Sequence, residues 1–414
     1  MRILMRAHKN PFRVVGPFHH LTRDVIGGNV GNLVFSQAAY RLLSTRDATI
    51  TTSKLIGLDP AILNDRHDQV VVPLANAFRP GFADELRAMT ELIRGLSIPV
   101  VVLGVGAQAW TNGKVPATAL DAVVTAFVKA VLERSASIGV RGEITATYLK
   151  RLGFGDDVVD VIGCPSMFMR GPDLAVTRKV DEITTESRVS LNISPYLRAI
   201  GPFSVDQAKR YPRLMYTAQD RNTLELLLTG QYPTGVSRPP DSPTSLDHPL
   251  LAQNRTRLCL DPATWLTYLR DFDFSLGTRI HGNITALLAG VPAMVLAHDS
   301  RTLELADYHE IPRHVLPANP EGLDAAALYA SADWGPTVAG HAERWGAMAR
   351  FLDRNGLRHV YLPGESPHGF DSRLARRHFP PPVQVGGTWL TRREVSLWQW
   401  VRRRRATEPD GSTA

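Results

Sequence analysis

The sequence has very little cysteine, since Cys164 and Cys259 are the only two among its 414 residues. Two cysteines supply neither a disulfide framework nor a four-cysteine zinc site. The histidines are scattered and lack the His-x-x-x-His spacing with an acidic residue that is typical of catalytic zinc sites. The sequence therefore predicts a protein without structural disulfides, without a metal site and without a bound cofactor.

Long apolar runs are also missing. No stretch of eighteen or more apolar residues occurs, which argues against a membrane-spanning helix. Near the N-terminus, the charged Lys9 interrupts the chain too early for the apolar region of a signal peptide. The contents of 44% hydrophobic and 21% charged residues are those of a globular protein. We therefore expect a cytoplasmic protein.

The formal net charge of +7 favours an anionic partner. Much of this charge lies near the C-terminus, at Arg376, Arg377, Arg392, Arg393 and 402–405. No zinc-finger spacing, RNP pattern or helix-turn-helix pattern accompanies these arginines, so nucleic acid is not the partner that we expect.

The C-terminal stretch 391–405 mixes this basic cluster with apolar residues. On a helix, Glu394, Leu397, Trp398 and Val401 share a face, with arginines at both ends. Trp and Leu beside basic residues are typical of a peripheral anchor on an anionic membrane. The alternative is a terminal helix that packs its tryptophans on the core of the protein. The sequence leaves both interpretations open.

Buried apolar runs alternate with amphipathic helical stretches along both halves of the chain. Strands are predicted at 68–74 and 98–103, with a helix over 84–96 between them, which makes a βαβ unit. The alternation resumes after a polar segment at 171–187, which is typical of an interdomain linker. We expect an α/β fold of two doubly wound Rossmann-like domains that face a cleft. Their predicted limits are 1–175 and 188–363, with a basic tail at 364–414.

Two further segments of the second half have clear local signals. The stretch 235–248 is rich in Pro and Ser, and we predict a surface insertion there. Asp261 followed by Pro262 predicts a helix start, with the Asp as N-cap.

The stretch 273–299 has the order strand, loop, helix, strand, which places its loop at the carboxyl end of a strand. Arg279 and His281 lie where this loop enters the helix, and a helix N-terminus favours anions. A guanidinium and an imidazole at this position indicate a ligand with a phosphate or a carboxylate. The alternative is an arginine paired with a helix-capping carboxylate and a histidine bonded to the backbone.

Two glycine-rich turns and one more arginine also follow predicted strands. The turn 27–32 has the form of a phosphate cradle, although tight strand–helix packing explains its glycines slightly better. The glycines of 104–106 lie at the carboxyl end of the strand predicted at 98–103. Arg141 follows a short strand and is placed either to bind an anion or to form a salt bridge with Glu143.

Together these motifs resemble the polysaccharide pyruvyl transferase family. The resemblance is carried by Arg279-Ile280-His281-Gly282, the Ala-rich helix 286–289, Gly290-Val291-Pro292 and Asp299. Weaker matches are Gly28-Asn29-Val30-Gly31, the turn from Gly104 to Gly106, and Arg141. The chain departs from the family pattern at Asn32, Gly142 and Cys164, where aspartate is usual.

The resemblance implies a GT-B-like fold and transfer of the enolpyruvyl group of phosphoenolpyruvate to a sugar, which forms a pyruvate ketal. The implied partners are phosphoenolpyruvate and a glycan or lipid-linked sugar of the cell envelope or an exopolysaccharide, at the inner face of the membrane. The implied catalytic residues are His281 and Arg279. The implied substrate-binding residues are Arg141, Gly282, Asn29, Gly31, Gly104, Gly106 and Asp299.

Two other functions fit the same residues. The first is a GT-B-type glycosyltransferase that uses a nucleotide sugar. The second is a non-catalytic family member that binds an anionic glycan or lipid, the three departures having removed activity.

Overall fold

The computed structural model describes residues 1–109, 115–387, 389–391, 393–394 and 396–398. The strands in chain order are β1 Arg2–Arg6, β2 Thr49–Ser53, β3 Gln69–Pro73, β4 Val100–Leu103, β5 Ile138–Val140, β6 Val159–Val161, β7 Val189–Asn192, β8 Met215–Ala218, β9 Thr256–Leu258, β10 Phe274–Gly277, β11 Ala293–Ala297 and β12 Arg313–Val315. The α-helices are α1 Pro17–Arg23, α2 Gly31–Leu43, α3 Pro60–Arg66, α4 Ala83–Arg94, α5 Leu120–Leu132, α6 Glu143–Arg151, α7 Ile200–Arg210, α8 Arg221–Thr229, α9 Pro249–Ala252, α10 Pro262–Leu269, α11 Ile280–Leu288, α12 Ser300–Tyr308, α13 Ala325–Ser331, α14 Gly335–Ala339, α15 His341–Arg354 and α16 His368–Ala375.

The first half of the chain forms a parallel sheet in the order β2-β1-β3-β4. A bridge between Val105 and Val140 joins its β4 edge to the parallel pair β5-β6. The strands β3 and β4 are buried along their whole length, as β-branched runs covered on both faces must be. The helix α4 connects these two strands and buries Leu86, Met89 and Ile93, so the predicted βαβ unit is confirmed.

The second half forms a parallel sheet in the order β12-β11-β10-β7-β8-β9. The stretch around 273–299 supplies its centre, since β10 leads through the turn at Thr278 into α11, and α11 leads back into β11. Two parallel sheets with helices between successive strands confirm the expected α/β class with two Rossmann-like halves.

Two helices tie the halves together. One face of α2 packs in the core of the second half through Leu33, Val34 and Ala38. The same helix packs in the core under β1 through Leu42 and Leu43. Because α2 takes part in both cores, the cleft between the halves has a fixed wall.

The helix α15 also crosses the predicted boundary. It lies within the range 188–363 that the sequence assigns to the second domain. Its side chains Met348 and Phe351 nevertheless pack with Ile3 and Met5 of the first sheet. After the second sheet, the chain therefore packs again on the first half through α15. The domain limits given above stay a prediction.

Two local predictions are confirmed only in part. Within 235–248, Ser242, Thr244 and His248 are buried, and His248 Nε2 lies 3.1 Å from Ser204 Oγ of α7. Part of this loop is exposed at the surface, as predicted. The rest packs through hydrogen bonds and through Val236 and Leu246, which lie against the core of the second half.

The predicted helix start is confirmed, because Asp261 is the N-cap residue of α10 and Pro262 follows it. The Asp261 side chain makes no capping bond, because its carboxylate accepts from the Lys9 ammonium in the first half.

At the C-terminal end, Trp398 is buried in the core of the second half, as the docking alternative predicted for this residue. The guanidinium of Arg221 lies over its ring, 5.7 Å from the centroid. Of the other tail residues in the membrane hypothesis, Leu397 is exposed. Arg392, Val395 and 400–405 lie outside the described residues. Within the part of the chain that the structure describes, no helix is long and apolar enough to cross a membrane.

Candidate functional site

A cavity of about 520 Å³ lies between the carboxyl edges of the two sheets. From the first half it is lined by residues that follow β1, β2 and β3, and from the second half by residues that follow β7, β8, β10 and β11. Ligands of open α/β sheets bind at such edges. The volume is in the range of pockets that hold small molecules.

The lining of this cavity is strongly cationic. Six of its lining residues are arginine or lysine and two are aspartate or glutamate. The six are Arg6, Lys54, Arg79, Arg141, Arg279 and Arg301. Three histidines, His8, His281 and His298, also line it. A concave site with this charge attracts anions.

His281 lies in the first turn of α11 and faces α2 across the cleft. Its ring packs edge-on against Phe35, with centroids 6.3 Å apart, and its Nε2 lies 3.8 Å from Cys164 Sγ. Burial, then the charges of Arg301 and Arg279, lower the pKa of His281 to about 4. The imidazole is therefore neutral at pH 7 and able to accept a proton.

Gly31 provides the room for this histidine. A Cβ on Gly31 would lie 2.7 Å from Nδ1 of His281, which is closer than van der Waals contact allows. The prediction placed Gly31 in a phosphate cradle. In the structure this glycine lets α2 approach the imidazole closely.

Arg279 is the residue that precedes α11, and its side chain is mostly buried beside the cavity. Its Nη2 is 4.0 Å from Asp220 Oδ2, and its guanidinium lies over the Tyr196 ring at 5.6 Å. The Nε atom is buried without a hydrogen-bond partner among the described residues. The alternative of an arginine paired with a helix-capping carboxylate is met in part, because the Asp220 side chain caps α8. The contact is long, so it leaves the guanidinium only weakly paired.

Asp299 does not line the cavity, although the sequence placed it among the substrate-binding residues. Its carboxylate caps α12, where Oδ1 accepts from the Thr302 amide at 2.9 Å. Its Oδ2 accepts from Nε of Arg301 at 2.7 Å, and these contacts bring the pKa of Asp299 down to about 2 against the opposing effect of burial. Asp299 therefore acts on the cavity through Arg301, whose guanidinium it holds at the lining.

Arg141 borders the cavity, but its charge is matched by a carboxylate. Its Nε donates to Glu304 Oε2 of α12 at 2.5 Å, and both side chains are almost fully buried. The alternative of a salt bridge with Glu143 is therefore wrong, and the carboxylate partner comes from the other half of the chain. A Cβ on Gly106 would lie 2.1 Å from Arg141 Nε, so this glycine makes room for the guanidinium. The Nη1 atom still donates to Asn76 Oδ1 at the lining, at 3.2 Å.

The glycine-rich turn before α2 is bonded to the second half. Val30 N donates to Gln219 O, and Arg221 N donates to Gly28 O. Asn29 lines the cavity and its Oδ1 accepts from the Gly31 amide at 2.7 Å. These bonds hold the turn against the end of β8, so it forms part of the junction between the halves.

The other predicted glycines lie behind the lining. A Cβ on Gly282 would meet the side chains of Asn192 and Gln219 at 2.5 Å. Gly104 has φ +68° and lies against Pro165. Both glycines support the packing of the site and do not line the cavity.

The three departures from the family pattern have structural explanations. The Asn32 amide donates to the carbonyls of Ile26 and Gly27, which an aspartate could not do. Glu304 occupies the space that a side chain at position 142 would need. A Cβ added to Gly142 would lie 2.4 Å from Glu304 Cγ. A carboxylate thus reaches this place from α12.

Cys164 is the third departure and it touches the candidate catalytic residue. Burial raises the pKa of its thiol to about 11, so the group beside His281 Nε2 is uncharged. An aspartate at this position would raise the pKa of His281 by its negative charge. The neutral thiol does not raise the pKa of His281, which agrees with the low value of this pKa.

Sequence reasoning missed several lining residues. Arg301 lies two residues after Asp299, where the motif that carries the resemblance ends, so this motif does not indicate a role for it. Arg6 ends β1, and Lys54 and Arg79 follow β2 and β3, so the topology could have indicated them. Across the described residues, no group of three or more His, Cys, Asp or Glu side chains is placed to hold a metal ion.

Comparisons with known proteins bear on the family and on the fold of this chain. The chain matches the profile of a family described as polysaccharide pyruvyl transferase over residues 29–300. No curated protein sequence matches it. Among solved structures, it is similar to UDP-GlcNAc 2-epimerase from Methanocaldococcus jannaschii in complex with UDP-GlcNAc and UDP, with TM-score 0.50 and 13% identity over 85% of this chain and 99% of that chain. The UDP-GlcNAc 2-epimerase from Neisseria meningitidis bound to UDP-GlcNAc gives a TM-score of 0.47 and 12% identity, over 86% of this chain and 100% of that chain. At 13% identity, the similarity to the Methanocaldococcus jannaschii enzyme concerns the fold alone. It confirms the GT-B-like arrangement of two Rossmann-like halves.

Proposed function

Since the chain belongs to the polysaccharide pyruvyl transferase family, a family of transferases, we propose that it moves the enolpyruvyl group of phosphoenolpyruvate onto a sugar. Two hydroxyl oxygens of the sugar bond to C2 of the donor, and the bond from C2 to the phosphate oxygen breaks. Of the two hydroxyl protons, one ends on the methylene carbon, which becomes a methyl group, and the other ends on the departing phosphate. The products are a cyclic pyruvate ketal and inorganic phosphate.

The observation that carries this proposal is His281, a neutral imidazole beside two guanidinium groups in a cationic cavity. The donor has a phosphate and a carboxylate, and arginine binds both groups with paired hydrogen bonds. Arg279 and Arg301 are the arginines whose charges act on His281. We assign the donor anions to these two residues and to the adjacent N-terminus of α11.

His281 acts as the proton carrier in this proposal. As a neutral base it accepts a proton from an attacking hydroxyl. The bound donor brings negative charge next to the imidazole and offsets the guanidinium charges that depress its pKa. The imidazolium that forms is then able to protonate the methylene carbon or the leaving phosphate.

Arg141 has a different part in the proposal. Each of its three guanidinium nitrogens already donates within the protein, to Glu304, Asn76 and Ala107, so we do not assign it a donor anion. The pair of Arg141 and Glu304 links β5 of the first half to α12 of the second, and α12 carries Arg301. We propose that Arg141 orients this helix and borders the donor, and that Asp299 holds Arg301 in place.

A binding experiment separates this function from its rivals. Phosphoenolpyruvate should raise the melting temperature of the full chain, and UDP-GlcNAc alone should not. Arg279→Gln should abolish the shift, whereas Arg87→Gln, which removes an equal charge from the exposed face of α4, should keep it. Protection by UDP-GlcNAc alone would favour a glycosyltransferase.

A second experiment tests catalysis. Incubation with phosphoenolpyruvate and envelope glycans should release phosphate and add a pyruvate ketal to a glycan, detected by mass spectrometry. Glycans from cells that lack the gene should lack this ketal. Donor binding with neither product would favour the non-catalytic alternative.

A further inference from the structure

Three cations of the first half form a cluster that the proposed donor site does not use. Arg6 ends β1, Lys54 follows β2 directly, and Arg79 lies in the segment after β3. Because β2, β1 and β3 are parallel neighbours, their carboxyl ends lie side by side. All three cations line the same cavity as His281, from the opposite half of the chain.

This first-half cluster, Arg6, Lys54 and Arg79, is not neutralised by ion pairs. None of the three makes a salt bridge within 4.0 Å to any described residue. The two arginines donate to main-chain carbonyls, Arg6 Nη1 to Pro73 at 3.3 Å and Arg79 Nε to Asn76 at 3.0 Å. By contrast, Arg141 and Arg301 each have a carboxylate partner.

The arginines of the cluster are held in place without being paired. Both guanidinium groups lie 5.9 Å from the centre of the Phe82 ring. Arg6 Nε is buried and has no hydrogen-bond partner among the described atoms. Burial lowers the pKa of Arg6, and Glu85 of α4 opposes this only in part.

The other charged groups near the cluster leave it cationic. Asp24 lines the cavity, but its carboxylate accepts from the Gly28 amide at 2.8 Å. His8 is uncharged at pH 7 because burial and the charges of Arg6 and Lys54 lower its pKa to about 4. Three positive charges therefore face the cavity with Asp24 and Glu85 as the only acidic lining residues of the described chain.

We propose that Arg6, Lys54 and Arg79 bind a phosphate group of the acceptor, so that the acceptor is a sugar phosphate or sugar diphosphate and not a neutral glycan. The proposal rests on the proposed function, because it assumes that the donor occupies the second-half side with His281. Arginine and lysine together are what phosphate recognition uses. A sugar attached to this phosphate extends from the cluster into the cavity, where the donor lies opposite.

The test is calorimetric titration of the full chain with inorganic pyrophosphate at fixed ionic strength, with and without saturating phosphoenolpyruvate. We expect one pyrophosphate to bind in both cases. Arg6→Gln/Arg79→Gln should weaken pyrophosphate binding at least ten-fold and change the affinity for phosphoenolpyruvate by less than two-fold. The control Arg87→Gln/Arg94→Gln removes two exposed arginines of α4 and should change neither affinity.

Lys54→Gln keeps the test valid if the double variant does not fold. Lys54 is exposed, so its replacement leaves the core intact, and it should weaken pyrophosphate binding about three-fold or more. Unchanged pyrophosphate binding in these variants, or its one-for-one displacement by phosphoenolpyruvate, would overturn the proposal.

Two patterns separate this proposal from the proposed function. If phosphoenolpyruvate binds through Arg279 and pyrophosphate does not bind, the transferase function stands and the acceptor proposal fails. If pyrophosphate binds through Arg6 and Arg79 and phosphoenolpyruvate does not bind, the proposed function fails, and the acceptor role fails with it. Uridine diphosphate and farnesyl diphosphate as further titrants distinguish the sources: tighter binding of the first indicates a nucleotide-linked sugar, and of the second an isoprenoid-linked one.

Discussion

At the scale of single residues, His281 has the properties of a base that its substrate activates. It is half-buried, neutral at pH 7, and flanked by Arg279 and Arg301. If it carries protons, His281→Ala should lower kcat by about 10²–10⁴-fold and leave the melting temperature close to that of the wild type. His314→Ala, on the exposed edge strand β12, is the matched control. Wild-type turnover in the His281 variant would remove this residue from the mechanism.

The pKa of His281 should also respond to the donor. It is about 4 in the free protein because of burial and the two guanidinium charges. Bound phosphoenolpyruvate brings negative charge and should raise this pKa by one unit or more. NMR titration of the imidazole, assigned by its loss in His281→Asn, measures the shift. A pKa that stays near 4 in the complex would show that the donor does not approach this ring.

The geometry of the two donor arginines gives a further prediction. Arg279→Lys and Arg301→Lys each keep the charge but lose the planar fork that binds phosphate and carboxylate with paired bonds. Each should weaken phosphoenolpyruvate binding by about ten-fold. Arg94→Lys on the exposed side of α4 should bind as the wild type does. Wild-type affinity in both donor-site variants, measured by calorimetry, would show that the donor anions bind elsewhere.

The sequence could predict Arg279 and His281 because they belong to one local motif at a helix start. It could not predict Arg301 or the Arg141–Glu304 pair. Glu304 lies 163 positions after Arg141, and only the packing of α12 against the first half brings them together. The resemblance places Asp299 among the substrate-binding residues, whereas in the structure its carboxylate accepts from Arg301 and Thr302.

At the scale of elements, the start of α2 sets the position of the imidazole. In Gly31→Ala the new Cβ would lie 2.7 Å from His281 Nδ1, so the ring must move. We expect kcat to fall at least ten-fold, while alanine in a helix offsets part of the steric cost by about 1 kcal/mol. Gly369→Ala in α16, with open space around the new Cβ, should leave activity unchanged. Full activity in the Gly31 variant would mean that the close approach has no catalytic role.

The elements that the sequence predicted well are the long or fully buried ones. The strands β3 and β4 are continuous β-branched runs, and α4 has a clear amphipathic pattern. The short strands β9 and β12 escaped prediction because three residues, some of them exposed, give no periodic signal. Their place in the sheet is decided by pairing with β8 and β11.

At the scale of the whole molecule, buried polar groups join the two halves. Lys9 of the first half and Asp261 of the second form an ion pair with side chains at most 2% exposed. The Arg141–Glu304 pair crosses the same junction. Breaking a buried pair by removing one partner is far more costly than losing a surface pair. These contacts, with α2 and α15, explain why two sequence ranges that look like separate domains share a fixed cleft.

Buried neutral histidines should make the whole protein sensitive to acid. Burial is the largest cause that lowers the pKa of His20 to about 3 and of His248 to about 4, against an ordinary value of 6.5. A depressed histidine pKa means that the unfolded chain binds the proton more readily. The stabilisation is therefore complete above pH 6.5 and is lost as the pH falls toward 4, by up to about 1.4 kcal/mol per pH unit for each such histidine. The free energy of unfolding, measured with urea between pH 6.5 and 4, should fall steeply.

His248 isolates the contribution of one such group, away from the cavity. Its Nδ1 accepts from the Leu250 amide at 3.2 Å, and Nε2 contacts Ser204 Oγ, so the ring is fixed in its neutral form. His248→Gln should lower stability at pH 7, yet its unfolding free energy should fall less steeply with acid, by up to about 1.4 kcal/mol per pH unit. His314→Gln removes an exposed histidine and should keep the wild-type slope. If the His248 and wild-type slopes coincide, the ring is not held neutral by the fold, because only a pKa that differs between the folded and unfolded states produces a slope.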